Sequence, residues 1–330
     1  LIAQILVAPR QRFTRFATLA VVLLAASHFG YGAWRTGQIE DQRDIHLNIA
    51  LIQGNFEQSQ KWDPALQQAT VDRYLALSAR ALAGAPALFI WPEAATPFYL
   101  QDRTVPAARV FQLPQRSGVP LLVGSPAYAP AADGRLIYHN RAFLLDSAGA
   151  IRGRSDKVHL VPFGEYVPLG RLLSFIDKLV VGVGDFSPGA IQPLPLDQHQ
   201  LGVLICYEVI FPHLARAYVL QGSDLLVNLT NDAWFGRSSA PFQHLAMARF
   251  RAIENRIWLA RSANTGISAL IAPSGEVTHA GPIFQPLALT GSVGLGAQPT
   301  FYTRYGDLFA WGCLLLTLCL AVGQAVVRRS

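Results

Sequence analysis

The sequence contains little cysteine and little charge. Only three of its 330 residues are cysteines, and charged residues make up 15%. Three cysteines allow at most one disulfide, and Cys313 and Cys319 lie in an apolar run far from Cys206. There is no CxxC pair, which argues against a disulfide-stapled fold and a zinc ribbon. We therefore expect neither a metal nor a cofactor.

Nucleotide and nucleic-acid signatures are also missing. The glycines form neither GxGxxG nor GxxxxGK[ST], the two common nucleotide-binding fingerprints. The formal net charge is +6, but part of it comes from arginines that flank apolar segments. No basic cluster with interleaved aromatic residues occurs, so we expect no nucleic-acid partner.

Two long apolar runs explain much of the 51% hydrophobic content. Residues 16–34 and residues 308–327 contain no formally charged side chain. At about 1.5 Å rise per residue, each run is long enough for the ~30 Å hydrocarbon core of a bilayer. A buried helix of a soluble core is the alternative, but neither run has a polar face. The sequence therefore predicts two transmembrane helices.

Arginines beside the two apolar runs predict their orientation. Arg10, Arg12 and Arg15 precede the first run, and Arg328 and Arg329 follow the second. The positive-inside rule places both clusters in the cytoplasm and the intervening residues on the other side of the membrane. The predicted regions are 1–35 as a membrane region that includes the end of a further helix, 36–305 as an extracytoplasmic domain, and 306–330 as a C-terminal transmembrane helix with an arginine tail.

Strand and helix patterns alternate between the two apolar runs. Buried strands are predicted in IHLNIALIQGN, ALFIWPEAA and VPLLVGSP, and helices at about 63–83 and 103–117. Residues 151–200 are predicted to be rich in loops. Three short strands, IWLARSA, GISALIAP and GEVTHA, are predicted to close the domain. Such alternation indicates an α/β fold.

Three reactive side chains follow buried strands or lie in the adjoining loops. Glu93 follows FIWP, Lys157 lies in SDKVHL, and Cys206 follows LGVLI. Each alone has an ordinary explanation: a helix N-terminal acid, a solvated loop charge and a small buried hydrophobe. Sites in open α/β sheets gather beyond the carboxyl ends of strands, so we expect the three to meet. The carboxylate would take the thiol proton and the ammonium would stabilise an oxyanion, which is acyl transfer through a thioester.

The order of these motifs resembles a known family. WPEAA, DKVHLVPFGEYVP and ICYEVIFP are similar to motifs of the carbon–nitrogen hydrolase (nitrilase) superfamily. LIQGNFEQSQKWDP and NLTNDAWFG narrow the resemblance to the apolipoprotein N-acyltransferases. This resemblance implies an αββα sandwich, flanked here by transmembrane helices.

The resemblance implies a role for each matched residue. Cys206 would be the nucleophile and Glu93 the general base. Lys157 would stabilise the oxyanion together with the backbone N–H of Tyr207, and Glu165 would position the lysine or shuttle protons. The further matched residues that would support the site or bind substrate are Trp62, Tyr207, Glu208, Asn231 and Trp234.

The resemblance also implies a ping-pong reaction and its partners. Cys206 would take the sn-1 acyl chain of a phospholipid, typically phosphatidylethanolamine, and pass it to the N-terminal amine of an S-diacylglyceryl-cysteine lipoprotein. The implied location is a bacterial inner membrane, crossed several times, with the catalytic domain facing the periplasm. Trp234, Phe235 and Phe242 would enter the membrane interface, unless they pack in the core or at its rim.

Two other functions are compatible with these motifs. A membrane-anchored amidase or nitrilase-type hydrolase would use the same three residues, with water as the acyl acceptor instead of an amine. The two predicted membrane helices favour the transferase, because a small-molecule amidase rarely needs anchoring at both ends. A non-catalytic membrane-bound domain that kept the fold is the other alternative, and the complete Glu–Lys–Cys set argues against it.

Overall fold

A computed structural model describes most of the chain. The described ranges are residues 12–40, 45–59, 61–102, 104–166 and 186–327. The chain divides into two compact units, residues 1–44 and residues 45–330. The predicted helix end near the N-terminus and the C-terminal arginine tail lie outside the described residues.

The first unit contains one long apolar helix, α1 (Arg12–Glu40). Its candidate span, Thr14–Ile39, has 26 residues, and an 18-residue window within it has a mean hydropathy of 1.5. About 20 apolar residues suffice to cross the hydrocarbon core of a bilayer. This helix includes the predicted span at 16–34 and has the length and composition of a membrane-crossing segment.

Two six-stranded sheets form the framework of the second unit. The strands of the first sheet are β1 (His46–Gln53), β2 (Leu88–Ile90), β3 (Leu121–Pro130), β4 (Leu136–Leu145), β5 (Ile151–Asp156) and β12 (Leu287–Gly294). The strands of the second sheet are β6 (Leu194–Leu196), β7 (His199–Ile205), β8 (Leu225–Thr230), β9 (Leu259–Ala263), β10 (Ala269–Ile271) and β11 (Val277–Ala280). Their spatial orders are β12-β1-β2-β3-β4-β5 and β11-β10-β9-β8-β7-β6. Strands β1, β2 and β3 are parallel, as are β7, β8 and β9.

Helices of the second unit follow the strands. They are α2 (Gln67–Ala81), α3 (Val105–Ser117), α4 (Pro212–Leu220), α5 (Ala240–Asn255), α6 (Phe301–Tyr305) and α7 (Leu308–Val327). Asp63 accepts a hydrogen bond from the N–H of Ala65 at 2.9 Å, just ahead of α2. Thr104 caps α3 by accepting from the N–H of Ala107 at 3.3 Å. These side chains satisfy N–H groups that have no acceptor within a helix.

Alternating side chains place each sheet between a shared core and a helix layer. In β1, Ile49 and Leu51 belong to the core between the two sheets, whereas Ala50 and Ile52 pack with α2 and α3. In the second sheet, Val203 and Ile205 of β7 face the shared core, and Leu204 packs with α4 and α5. The four layers form the αββα sandwich that the family resemblance implied.

Three strands were missed by the sequence analysis, and all three lie at sheet edges. The prediction of loops throughout 151–200 was wrong for β5 and β6, and β12 follows the strands that were predicted to close the domain. Edge strands bury less apolar surface, so their hydrophobic pattern is weak. In β6, Pro195 further disguises the strand, since proline is tolerated only at such edges.

The second predicted membrane segment forms helix α7, within the predicted region 306–330. Counted over the described residues alone, its apolar stretch is Leu308–Gly323, which is shorter than the about 20 residues that a bilayer core requires. Among the described residues, α1 is therefore the single helix with the length and composition to span. A membrane crossing by α7 stays a prediction.

Candidate active site

Three loops that follow strands bring the predicted reactive side chains to one cavity. Glu93 comes three residues after β2, Lys157 directly after β5, and Cys206 directly after β7. All three line a cavity of about 480 Å³ in the second unit. The strand-end argument of the sequence analysis thus corresponds to a real convergence in space.

Lys157 is surrounded by negatively charged partners. Its side chain is only 1% exposed, and its Nζ donates to a carboxylate oxygen of Glu165 at 2.9 Å. The same Nζ lies 3.8 Å from Glu93 Oε1. Burial alone would lower the pKa of Lys157, but Cys206, Glu165 and Glu93 together raise it well above its ordinary value. The lysine is therefore held as an ammonium ion.

Asn140 of β4 joins the two carboxylates that face this lysine. Its Nδ2 donates to Glu93 Oε1 at 2.7 Å and to Glu165 Oε1 at 3.0 Å. The other oxygen of Glu165 accepts from the N–H of Val161 at 2.9 Å. These bonds fix both carboxyl groups in place. Asn140 was missed by the sequence analysis, because an asparagine within a strand carries no pattern of its own.

Cys206 begins a short 3-10 helix, Cys206–Ile210, and has a positive φ of 56°. Such a conformation is unfavourable for a residue with a Cβ atom. Burial, followed by the nearby charge of Glu93, raises the pKa of the Cys206 thiol to about 12, although Lys157 opposes the change. The resting thiol therefore keeps its proton at neutral pH, and a base is needed to make it nucleophilic.

Glu208 forms hydrogen bonds both to the end of β7, next to Cys206, and to the loop that follows Lys157. Its Oε1 accepts from the N–H groups of Val158 at 2.6 Å and His159 at 2.8 Å. Its Oε2 accepts from the N–H of Ile205 at 2.6 Å. Burial raises the pKa of Glu208 to about 7, while Lys157 and the three backbone bonds act in the opposite sense. Glu208 is 1% exposed and is not among the residues that line the cavity, so its contacts lie outside the cavity wall.

The other predicted supporting residues lie around the cavity: Glu165, Trp62, Tyr207, Asn231 and Trp234. Asn231 donates to Gln58 Oε1 at 2.7 Å and accepts from Asn264 Nδ2 at 2.9 Å. Tyr207 is 41% exposed and Trp234 is 49% exposed. The Nε1–H of Trp62 is buried and has no hydrogen-bond partner among the described residues. A buried donor without a partner costs free energy. A bound molecule that offers an acceptor to this N–H would remove that cost.

Lys61 is a second buried lysine of the cavity and was missed by the sequence analysis. It is 5% exposed, and its Nζ donates to the backbone oxygen of Glu93 at 3.1 Å. Burial lowers the pKa of Lys61 to about 8, although Glu93 and Cys206 act in the opposite sense. In the sequence, Lys61 lies in the polar stretch QSQKWDP, where nothing separates it from a solvated lysine.

A second buried group of polar residues lies behind Cys206, and we call it the rear cluster: Asn228, Asp232, His244 and Arg261. Arg261 Nη2 donates to Asp232 Oδ2 at 2.7 Å, and His244 Nδ1 lies 3.0 Å from Asp232 Oδ1. All four residues are at most 4% exposed. One sequence signal was available: Arg261 lies in the middle of the buried strand pattern IWLARSA, and a buried charge requires a partner.

The cavity combines a thiol, a carboxylate that can act as a base, and an ammonium group. Together they suit nucleophilic attack on a carbonyl carbon, with the negative charge that develops on oxygen held by the cation. Within the described ranges, no three His, Cys, Asp or Glu side chains are grouped so that they could hold a metal ion.

Comparison with protein families gives one match that covers most of the second unit. Residues 48–289 match the family model described as carbon-nitrogen hydrolase. A protein of Geobacter metallireducens named apolipoprotein N-acyltransferase is 54% identical, with 81% of this chain and 52% of that protein covered. One of the same name from Methylococcus capsulatus is 37% identical, with 97% of this chain and 61% of that protein covered. The chain thus spans little more than half the length of these relatives.

Solved structures with the same fold include two nitrilase-superfamily proteins. A member from Saccharomyces cerevisiae superposes with a TM-score of 0.59 at 16% identity, covering 76% of this chain and 91% of that one. An amidase from Nesterenkonia superposes with a TM-score of 0.55 at 22% identity, covering 80% of this chain and 94% of that one. At these identities the likeness establishes the fold alone. With the family match across residues 48–289, the sandwich fold establishes that this chain belongs to the carbon-nitrogen hydrolase family.

Proposed function

We propose that this chain carries the catalytic domain of an apolipoprotein N-acyltransferase. One observation supports the proposal above all: Glu93, Lys157 and Cys206 line one cavity in a chain whose curated relatives carry that name. The proposed acyl donor is a phospholipid, with phosphatidylethanolamine as the expected one. The proposed acceptor is the N-terminal amine of an S-diacylglyceryl-cysteine lipoprotein.

In the proposed first half-reaction, the Cys206 sulfur attacks the carbonyl carbon of the sn-1 ester. Glu93 takes the thiol proton, which the raised pKa of Cys206 keeps in place until a base removes it. The charge that develops on the carbonyl oxygen is stabilised by the ammonium of Lys157 and the backbone N–H of Tyr207. When the tetrahedral intermediate collapses, the ester C–O bond breaks and Glu93 returns the proton to the leaving alcohol. The products are a lysophospholipid and an acyl thioester on Cys206.

In the proposed second half-reaction, the lipoprotein amine attacks the same carbonyl carbon. Glu93 accepts a proton from the attacking nitrogen, and the C–S bond then breaks as the amide forms. The proton returns to the Cys206 thiolate, which restores the starting enzyme. Because the negative charge develops at the same carbonyl oxygen in both half-reactions, one set of hydrogen-bond donors can serve both.

The supporting residues have separate proposed tasks. Glu165 holds the ammonium of Lys157 through its 2.9 Å contact. Asn231 and Trp234 line the cavity wall, and the unpaired Nε1–H of Trp62 offers a hydrogen bond to a substrate oxygen. Glu208 keeps the lysine loop in register with the cysteine strand through its three backbone contacts.

Lipid substrates fit a protein that is held at a membrane. Helix α1 has the length to span a bilayer. At the cavity wall, Trp234 and Phe235 are 49% and 37% exposed, and Phe242, in the first turn of α5, is 55% exposed. Aromatic side chains favour the membrane interface. We propose a bacterial inner-membrane location, with further membrane crossings and the catalytic domain on the periplasmic side.

The competing function, a membrane-anchored hydrolase, differs only in the acyl acceptor. The test incubates the full chain with a phospholipid labelled in its sn-1 chain and a synthetic diacylglyceryl-cysteine peptide. Labelled N-acyl peptide is expected from the wild type and from Cys313→Ala, and none from Cys206→Ala. Free labelled fatty acid without acylated peptide would favour hydrolysis instead. Labelled peptide formed equally by Cys206→Ala would refute the proposed nucleophile.

A further inference from the structure

Two buried donors hold the backbone carbonyl of Cys206 from behind. Asn228 Nδ2 lies 3.1 Å from this oxygen and His244 Nε2 lies 3.2 Å from it. A carbonyl oxygen has two lone pairs, and both are used here. Because a carbonyl can only accept, the Nε2 atom of His244 must carry the hydrogen.

The rest of the rear cluster holds these two donors in place. Arg261 Nη1 donates to Asn228 Oδ1, which leaves the Asn228 amide hydrogens for the carbonyls of Leu204, at 2.9 Å, and Cys206. His244 Nδ1 lies 3.0 Å from both Asp232 Oδ1 and Arg261 Nη2. Nδ1 therefore has a partner whether or not it is protonated, and the ring keeps its orientation in either state.

A fixed carbonyl also fixes the next N–H group. A peptide bond is planar and trans, so its C=O and N–H point in opposite directions. Since the C=O of Cys206 points to the rear cluster, the N–H of Tyr207 points away from it. Cys206 and Tyr207 line the cavity, whereas the four rear residues do not. Tyr207 also lies in the first turn of the 3-10 helix, where N–H groups have no acceptor within the helix.

The same contacts hold the backbone of Cys206 in a strained conformation. A left-handed backbone at a residue other than glycine costs about 1–3 kcal/mol and persists only where surrounding contacts enforce it. The φ of Cys206 is 56°, and its peptide is held by two hydrogen bonds from nearly inaccessible side chains. Without them, the backbone of Cys206 could rotate about its N–Cα bond to a negative φ, which would relieve the strain and turn the Tyr207 N–H away from the cavity.

We propose that Asn228, Asp232, His244 and Arg261 are positioning residues that aim the Tyr207 N–H at the oxyanion. The inference rests on the proposed acyl transfer for its biological meaning, but an activated ester can test it without the natural lipids. The rear cluster then acts on steps that create an oxyanion and leaves other reactions of the Cys206 thiol unchanged.

The experiment compares two reactions of Cys206 in the full chain. Acylation by p-nitrophenyl butyrate passes through an oxyanion, whereas alkylation by iodoacetamide is a displacement at a saturated carbon and forms none. His244→Leu removes the donor and leaves Asp232 and Arg261 to pair with each other. Loss of one oxyanion donor typically lowers a rate by 100- to 1,000-fold. Since Lys157 and a mobile N–H remain, we expect about 10- to 100-fold slower nitrophenolate release by His244→Leu, with alkylation within about threefold of the wild type.

His244→Gln is the matched control, because its Nε2–H₂ group can still donate to the Cys206 carbonyl. It should recover most of the acylation rate. Equal losses in acylation and alkylation, or an unchanged acylation rate in His244→Leu, would overturn the inference. A wild-type chain that is acylated by the activated ester but never by phospholipid would refute the proposed transferase function and leave the positioning role standing.

Discussion

The buried charges on the two sides of Cys206, in the cavity and in the rear cluster, differ in how completely they are paired. On the cavity side, the two lysines and the carboxylates of Glu93 and Glu165 meet around open space. In the rear cluster, Asp232 and Arg261 are completely buried and are paired with each other and with His244. Among the described residues, the buried polar atoms without partners include Trp62 Nε1 and Asn140 Oδ1 near the cavity, and none in the rear cluster.

The pKa values follow the same division. Burial alone would raise the pKa of Asp232, but Arg261 and the bonds from His244 and Thr230 hold it well below its usual value. On the cavity side, burial instead raises the pKa of Cys206 to about 12 and lowers that of Lys61 to about 8. The comparison teaches that a buried group whose charge is fully paired stays in one charge state. A buried group whose charge is only partly paired is able to exchange protons.

The largest effect on stability is expected when the ion pair between Asp232 and Arg261 is removed. Asp232→Asn leaves the Arg261 charge buried without its counter-ion, which typically costs about 3–5 kcal/mol. Chemical unfolding in detergent at pH 7 should reveal this loss. Asp133→Asn, which removes only an exposed contact with Arg135, is the control and should leave stability nearly unchanged.

The stability difference between wild type and Asp232→Asn should depend on pH. The pKa of Asp232 is lower in the folded protein than its ordinary value of 3.8, so its contribution is present above about pH 4 and is lost as the pH falls below it. The stability difference between wild type and Asp232→Asn should therefore shrink in acid. A difference that stays constant down to pH 3 would contradict the assigned pairing.

On the cavity side, the largest loss should appear in rate rather than in stability. Lys157→Met removes the cation from the proposed oxyanion site and should slow thioester formation by about 100- to 1,000-fold. The comparison predicts a smaller change in the free energy of unfolding than Asp232→Asn produces. Arg154→Met, three residues earlier on β5 and exposed, is the control and should retain full activity. Comparable acylation rates in the two variants would remove Lys157 from the mechanism.

A smaller loss of acylation rate is expected when the backbone around Glu93 is displaced. A Cβ atom on Gly124 would lie 2.5 Å from the oxygen of Pro92 and 2.7 Å from Glu93 Cα, so Gly124→Ala must displace this segment. Small errors in placing a catalytic group cost up to about 100-fold in rate, and we expect a loss of about tenfold. Gly312→Ala, where a Cβ atom meets nothing within 4 Å, provides the control. If the two variants acylate equally fast, Glu93 does not need its exact position.

The smallest predicted effect concerns Lys61. Its pKa is lowered to about 8, so the ammonium beside Glu93 and Cys206 is lost as the pH rises through about 8. A positive charge favours an anionic thiolate, so loss of the Lys61 charge should lower the wild-type acylation rate by a few-fold across this range. Lys61→Met should be slower at pH 7 and lack this fall. A pH profile that is identical for both proteins would show that Lys61 has only a structural task.

Much of the fold was predictable because central strands and their helices carry strong patterns. The strand ends before Glu93 and Cys206 were read correctly, since LFI and LGVLI are buried on both faces. The edge strands β5, β6 and β12 were not predicted, because a half-exposed strand lacks a continuous apolar run. Lys157 was found through its motif rather than through the strand that carries it.

The parts of the site that the sequence did not reveal depend on contacts between distant residues. Asp232 and His244 lie on a 3-10 helix and on α5, and only packing of α5 against the strand ends brings them to Arg261. Asn140 bonds to two carboxylates and Lys61 to one backbone oxygen, and such contacts between distant residues leave no periodic trace in the sequence. A charge inside a buried strand, as at Arg261, is a usable warning that a partner exists, although it does not identify that partner.

The central claim is that Cys206 carries an acyl group between two substrates. Its most direct test is the intact mass of the full chain after exposure to phospholipid, before and after addition of a diacylglyceryl-cysteine peptide. The account predicts a mass increase of one acyl chain, located on Cys206, that disappears as the peptide gains the same mass. A chain that acquires no acyl group on Cys206 while acylated peptide accumulates would contradict it.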